Sequence, residues 1–411
     1  MAVNLHPNSM GSSLATSNMS LAASINGARQ VVAQPEARLD FIQAFRGAAA
    51  LIVVLYHGSR FVSPYGTGLG YQLFGPGGSM GVALFFIVSG FIMVHTTARS
   101  DGSPVYVAEF LVKRFSRVWP VYAVATIAYL FVSLDGLSYL QEAGNLRRFV
   151  YSLFFLPIGN GAPPDFGFPV LSVGWSLSYE MYFYVIFALS MLFGRARWAI
   201  LAAWLSISLL LIPYLNGIVV LGTHTDFGFK RAYLNLITSP IIWQFAVGVF
   251  IGLIYRSRIS ISNKTVINLL LFASVSFVIW QYMTQFEMGH GVLEWGCSLI
   301  PMMLIFAIGS KQRQIDAPAS LSYLGDISFS LYLWHPLVQE TLPKLFVRLE
   351  RGDLTSGFSM LILTTVASIL VAALSHRFLE VGASNYVRNK LLLLLRMGRG
   401  RKSVSPSAAI S

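Results

Sequence analysis

Cysteine is almost missing from this chain of 411 residues, where Cys297 stands alone. An intramolecular disulfide and a multi-cysteine metal site are therefore excluded. The histidines lack ligand-like spacing, so no metal is implied. Charge is scarce as well. Only 11% of residues are charged, against about 25% in a soluble domain, too few to cover a globular surface. Alternation of apolar and polar residues is also missing, which argues against a membrane barrel. No cleavable signal peptide is evident. Residues 1–37, rich in Ser, Asn and Ala, read as a disordered cytosolic tail.

What is present is long apolar sequence. The chain is 55% hydrophobic with a mean hydropathy of +0.64. Runs such as LIVVLY, LLLIPYL and VINLLLFASVSFVIW are apolar on all sides, and a bilayer takes roughly 20 residues per helix. The fold class is all-α, a polytopic integral membrane protein of about ten transmembrane helices. The spans fall near 41–62, 80–98, 118–134, 171–193, 198–215, 236–255, 265–284, 292–309, 322–345 and 356–378. The stretch Phe149 to Pro157 is too short to cross and reads as re-entrant or packed on the bundle.

The net charge of +12 does not indicate nucleic acid, because the basic residues lie between apolar runs rather than on one soluble face. With both termini cytosolic, 21 of the 29 basic residues fall on the cytosolic side, as the positive-inside rule requires. The expected domains are the tail 1–37, a membrane domain 38–380, and a basic cytosolic tail 381–411 lying against anionic lipid.

Within these spans a few polar residues stand out. Arg46 and His57 are eleven apart in FIQAFRGAAALIVVLYH. That spacing is three helical turns plus about 20°, so both face one side, about 16 Å apart along the axis. An ionisable group at that depth marks a pathway or reaction site, or else is a structural histidine bonded to a neighbouring helix. Arg114 and Arg117, in the KRFSRVWP end of a cytosolic loop, lie one turn apart. Two guanidinium forks so placed suit a shared anion such as phosphate. Ser176 and Glu180 of WSLSYE share a helical face, and Glu180 approaches the depth of His57, which suggests a common cavity. His335 precedes Pro336 in SLYLWHP. It either lines the same cavity or satisfies the carbonyls freed by the proline.

Together these motifs resemble the membrane-bound acyltransferase-3 family, and most of all its bacterial exopolysaccharide acetyltransferase branch. The matching residues are the pair Arg46 and His57, GVALFFIVSGF at 81–91, RFSRVWP at 114–120, WSLSYE at 175–180 and SLYLWHP at 330–336. The resemblance runs from about residue 38 to 380. It implies transfer of an acyl group, usually acetyl, from cytosolic acyl-CoA to a sugar hydroxyl at the extracytoplasmic face of the inner (plasma) membrane. His57 is then the essential histidine, acting as general base with Arg46 its partner, and Glu180 orients it, balances its charge or binds the sugar. Arg46, Arg114 and Arg117 would contact coenzyme A phosphates. Trp175, Ser176 and His335 are expected to bind substrate. Acetyl-CoA is a donor substrate rather than a resident cofactor, and the acceptor is a polysaccharide or a lipid-linked oligosaccharide. Two departures are visible: Ala83 stands where many relatives carry an acid, and Glu380 is followed by Val381 and Gly382 instead of ending in Glu-x-Pro. A proton-coupled transporter or flippase of glycan precursors is the competing reading, but no internal repeat supports it.

Overall fold

A chain crossing lipid must satisfy its backbone N–H and C=O groups internally, and this one does so with helices. The computed structural model describes residues 39–400 apart from 63–67, 160, 219–221, 224–226 and 313–314, with backbone alone at 398–400. Every regular element among the described residues is helical. The amino-terminal tail 1–37 and the chain beyond residue 400 lie outside them.

The helices that matter for the site are α1 (Asp40–Gly58), α2 (Gly77–Thr96), α3 (Pro104–Val132), α4 (Asn145–Leu153) and α5 (Trp175–Met191). They are followed by α6 (Arg197–Ser206), α7 (Trp243–Arg256), α8 (Lys264–Thr284), α9 (Gly296–Ser310) and α10 (Ala319–Asp326). The last three are α11 (Ser328–Arg348), α12 (Gly357–Ser375) and α13 (Ser384–Gly400), with a π-helical segment His376–Ala383 between α12 and α13.

Among the described residues, seven helical stretches are long and apolar enough to cross a bilayer: Asp40–Phe61, Leu69–Thr96, Pro104–Val132, Gly194–Leu215, Ala232–Arg256, Lys264–Thr284 and Gly357–Met397. They answer seven of the ten stretches expected from sequence. Helices α5, α9 and α11 occupy the other three, with 17, 15 and 21 residues. The first two are short, and α11 carries His335, Gln339, Glu340 and Lys344 along its length. Phe149–Pro157 forms the end of the nine-residue α4 and the turn after it.

One boundary differs from expectation in a way that matters. RFSRVWP is not the end of a loop. Pro104 occupies the first turn of α3, and the Ser103 hydroxyl accepts from the Tyr106 N–H at 3.2 Å, so the helix starts well before Arg114. Helical spacing therefore governs Arg114 and Arg117 from the outset.

Small residues set how closely the helices approach. A Cβ on Gly90 would lie 2.2 Å from the Phe245 carbonyl oxygen, and one on Gly248 would lie 2.1 Å from that of Ile87. Helices α2 and α7 thus touch backbone to backbone, as small residues permit inside membranes. Beside them Phe245 stacks between Phe86 and Phe183, at centroid distances of 4.4 and 4.5 Å. By contrast α8 leaves Leu269, Phe272, Ile279 and Met283 exposed, apolar side chains suited to lipid. The core therefore lies among α1, α2, α3, α5, α7 and α11, and the polar residues collect there.

Candidate active site

Three cavities follow one another through this core. The first, about 410 Å³, opens where the end of α2 meets α3 and the π-helical segment, and is lined by Thr96, Lys113, Arg114, Arg117, Glu380 and Arg388. The second is a narrow space of about 90 Å³ lined by Arg46, Ser89, Arg114, Arg117, Ser176 and Glu180. The third, about 300 Å³, is lined by His57, Tyr71, Asp165, Trp175 and His290. Arg114 and Arg117 belong to the first two, and Val82 and Tyr332 to the last two. The cavities adjoin in series. Arg46 and His57, on one face of α1, look into the second and the third.

In the first cavity the Arg114 guanidinium donates from Nη2 to the Thr96 hydroxyl at 2.7 Å and lies over the rings of Phe110 and Tyr184. The Glu380 carboxylate accepts from Ser330 Oγ and from His376 Nδ1, each at 3.1 Å. The Ser116 and Ser384 hydroxyls are buried against this cavity without a hydrogen-bond partner among the described residues. Buried hydroxyls ordinarily find partners, so this mouth has polar capacity to offer a ligand.

The second cavity brings Arg46, Arg114 and Arg117 together with Glu180. Glu180 Oε1 accepts from Ser89 Oγ at 3.2 Å and from the Tyr184 hydroxyl. Arg46 is oriented by donation to Gln43 Oε1 at 3.1 Å. Ser176 Oγ pairs with the Tyr332 hydroxyl at 2.9 Å. A carboxylate among three guanidinium groups lowers the cost of burying either sign. Glu180 does not share a cavity with His57, so the common cavity expected from their depths is replaced by two that adjoin.

In the third cavity His57 Nδ1 stands 2.9 Å from the Val53 carbonyl oxygen. His335 does not line this space. It is fully buried behind His57, with Nε2 3.3 Å from His57 Nδ1, where sequence had placed it among substrate-binding residues. Trp175 does line the cavity, edge-on to His290 with centroids 5.4 Å apart. Asp165 enters from the loop after α4 and accepts at Oδ1 from the Gly167 N–H at 2.9 Å. Burial pushes its carboxyl above the ordinary aspartate value, against the lowering effect of that N–H.

Sequence reasoning gave no site role to Asp165, Tyr332, Glu380 or Arg388. Glu380 was visible only as a departure from the Glu-x-Pro ending, and Tyr332 only as part of SLYLWHP. Asp165 lies in an irregular loop, where periodicity says nothing.

A file of part-buried arginines leads to a histidine inside a helical bundle with apolar outer faces. Residues 39–377 match the acyltransferase domain of the acyltransferase-3 family. The chain belongs to that family and is an acyltransferase of groups other than amino-acyl groups. It is similar to the exopolysaccharide production protein ExoZ of Rhizobium meliloti, 27% identical over 79% of this chain and 92% of that one. It is also similar to the putative membrane-bound transacylase BcsY of Komagataeibacter xylinus, 27% identical over 84% of this chain and 83% of that protein. The peptidoglycan O-acetyltransferase OatA of Listeria monocytogenes is 23% identical over 82% of this chain, which spans 54% of OatA. No solved structure gives a significant match.

Proposed function

We propose that this protein is an O-acyltransferase that moves an acyl group, acetyl in the first instance, from cytosolic acyl-CoA to a sugar hydroxyl of an exopolysaccharide or other envelope glycan. The observation that carries the reading is the series of cavities joining Arg46, Arg114 and Arg117 to His57. Coenzyme A has its phosphates at one end and its thiol at the other, joined by a slender arm. The first cavity is wide and basic, the second narrow, and the third holds the histidine. Relatives whose names specify exopolysaccharide production and peptidoglycan O-acetylation support the glycan acceptor.

In this reading the chain crosses the inner membrane ten times with both termini cytosolic, which the distribution of 29 basic residues supports. Arg114 and Arg117 hold phosphate, with Lys113 and Arg388 beside them. Arg46, balanced by Glu180, receives the inner part of the donor. The thioester reaches the third cavity, and the acceptor sugar enters that cavity from the far side against Trp175 and Asp165. His57 takes the proton of the sugar hydroxyl as its oxygen attacks the thioester carbonyl carbon. The C–O bond forms, the C–S bond breaks, and the imidazolium returns the proton to the departing sulfur. An ester and free coenzyme A leave by opposite ends.

The test compares acyl groups on surface glycans, by mass spectrometry, in cells carrying the intact protein, His57→Ala, Arg46→Ala or none. Loss of one acyl group in all but the first is the expected result. Unchanged acylation in the deletion would overturn the function, and unchanged acylation in His57→Ala would overturn the base.

A further inference from the structure

The two histidines in contact, His57 and His335, sit on helices far apart in sequence, and their hydrogen bonds determine where the protons lie. His335 Nδ1 is 3.1 Å from the Leu331 carbonyl oxygen. A carbonyl only accepts, so this nitrogen carries a proton. In the neutral ring, Nε2 of His335 is then an acceptor. It faces His57 Nδ1 at 3.3 Å, and the same His57 nitrogen lies 2.9 Å from the Val53 carbonyl oxygen. Both neighbours of His57 Nδ1 are acceptors. Its proton is therefore on Nδ1, shared between them, and Nε2 is left with a lone pair.

We infer that His335 is a positioning residue for His57: it accepts the Nδ1–H bond, holds the ring with its basic nitrogen toward the third cavity, and shares the charge His57 gains on taking a proton. The inference rests on His57 being the base of the proposed reaction. It departs from a substrate-binding role for His335, which is fully buried and lines none of the three cavities. Position explains the choice of residue. Pro336 has no N–H, so the turn of α11 that carries His335 lacks one helical bond. The carbonyl left without that bond is Tyr332's; the His335 ring bonds the neighbouring Leu331 carbonyl, which aims its other nitrogen across at α1. The arrangement follows the general logic of a base oriented by a third group, with a neutral imidazole in place of a carboxylate. The proton passes from the sugar hydroxyl to His57 Nε2 and from there to the leaving sulfur. His335 keeps its own proton throughout.

The experiment uses the full-length protein in membrane vesicles, acetyl-CoA as donor, and polysaccharide from cells lacking the protein as acceptor. His335→Leu removes the acceptor at similar volume, whereas His335→Gln keeps an amide oxygen that accepts and an amide N–H that donates to the Leu331 carbonyl. His335→Leu is expected to lower kcat by roughly 10-fold or more, a part of the roughly 100- to 10,000-fold that acid–base catalysis contributes, with KM for both substrates within about twofold. His335→Gln is expected to recover most of the rate. If His335→Leu does not insert, His335→Met serves in its place. A kcat within twofold of the parent in the apolar variant overturns the inference. So does a Gln variant no faster than the apolar one, and so does a loss confined to KM. His57→Ala, run in parallel, tests the base separately: full activity there sinks the reading of His57 itself, whatever the His335 variants do.

Discussion

Gly47 of α1 and Gly325 of α10 meet so closely that a Cβ on Gly47 would lie 2.8 Å from the Gly325 nitrogen and 2.4 Å from the Leu321 carbonyl oxygen. The reciprocal Cβ on Gly325 would lie 2.1 Å from the Gln43 carbonyl oxygen. Arg46 is the residue beside this crossing, so the contact sets how α1 presents its guanidinium to the second cavity. All the clashing atoms are backbone and cannot rotate away. Gly325→Val is therefore expected to cost about 1–3 kcal/mol, the usual penalty for overpacking. Thermal unfolding in detergent should show a lower Tm, accompanied by loss of transfer activity.

Arg114 and Arg117 stand where the first two cavities join. If they hold donor phosphates, Arg117→Ala should raise KM for acyl-CoA by about 10- to 100-fold, since a hydrogen bond to a charged group contributes about 1.5–3 kcal/mol. The acceptor KM should hardly move. Steady-state kinetics with each substrate varied in turn separates the two, and an acceptor-side effect would move Arg117 out of the donor site.

Glu180 is bonded to Ser89 and Tyr184 and faces three arginines rather than His57. Glu180→Gln keeps an acceptor for both hydroxyls but leaves the positive charge unbalanced. The expected outcome is a properly inserted protein with activity reduced at least 10-fold, because removing one member of a buried ion cluster leaves the others uncompensated. Protein yield and activity measured together check this. A fully active Gln variant would show that the charge of Glu180 is dispensable.

Asp165 supplies a pH dependence outside the membrane spans. Burial raises its carboxyl above the ordinary value near 3.8. If its carboxylate accepts from sugar hydroxyls, acceptor binding is strongest above this raised value. Binding is then lost as pH falls through it, starting at a higher pH than for a free aspartate. Acceptor KM measured at descending pH should rise in the parent protein. Asp165→Asn should show a raised KM at every pH and lose that dependence. Identical profiles for the two proteins would remove Asp165 from the acceptor site.

Much of this protein was legible before any coordinate. Scarce charge and long apolar runs are properties of composition, and lipid permits few backbone solutions to them, so a helical membrane bundle followed directly. The shared face of Arg46 and His57 is likewise helix arithmetic within one element. The spacing of Arg114 and Arg117 was right although their placement in a loop was not, because the helix starts at Pro104, ten residues before Arg114 and well before the apolar run expected from residue 118. Between elements the sequence had no purchase. That Glu180 meets three arginines instead of His57, that Glu380 reaches back to Ser330, and that His335 stands behind His57 all depend on helix crossings, which are set by backbone contacts at glycines such as Gly47, Gly90, Gly248 and Gly325. Depth along a helix can be counted from residues one at a time. Which helix lies opposite, and at what distance, exists only once they are packed.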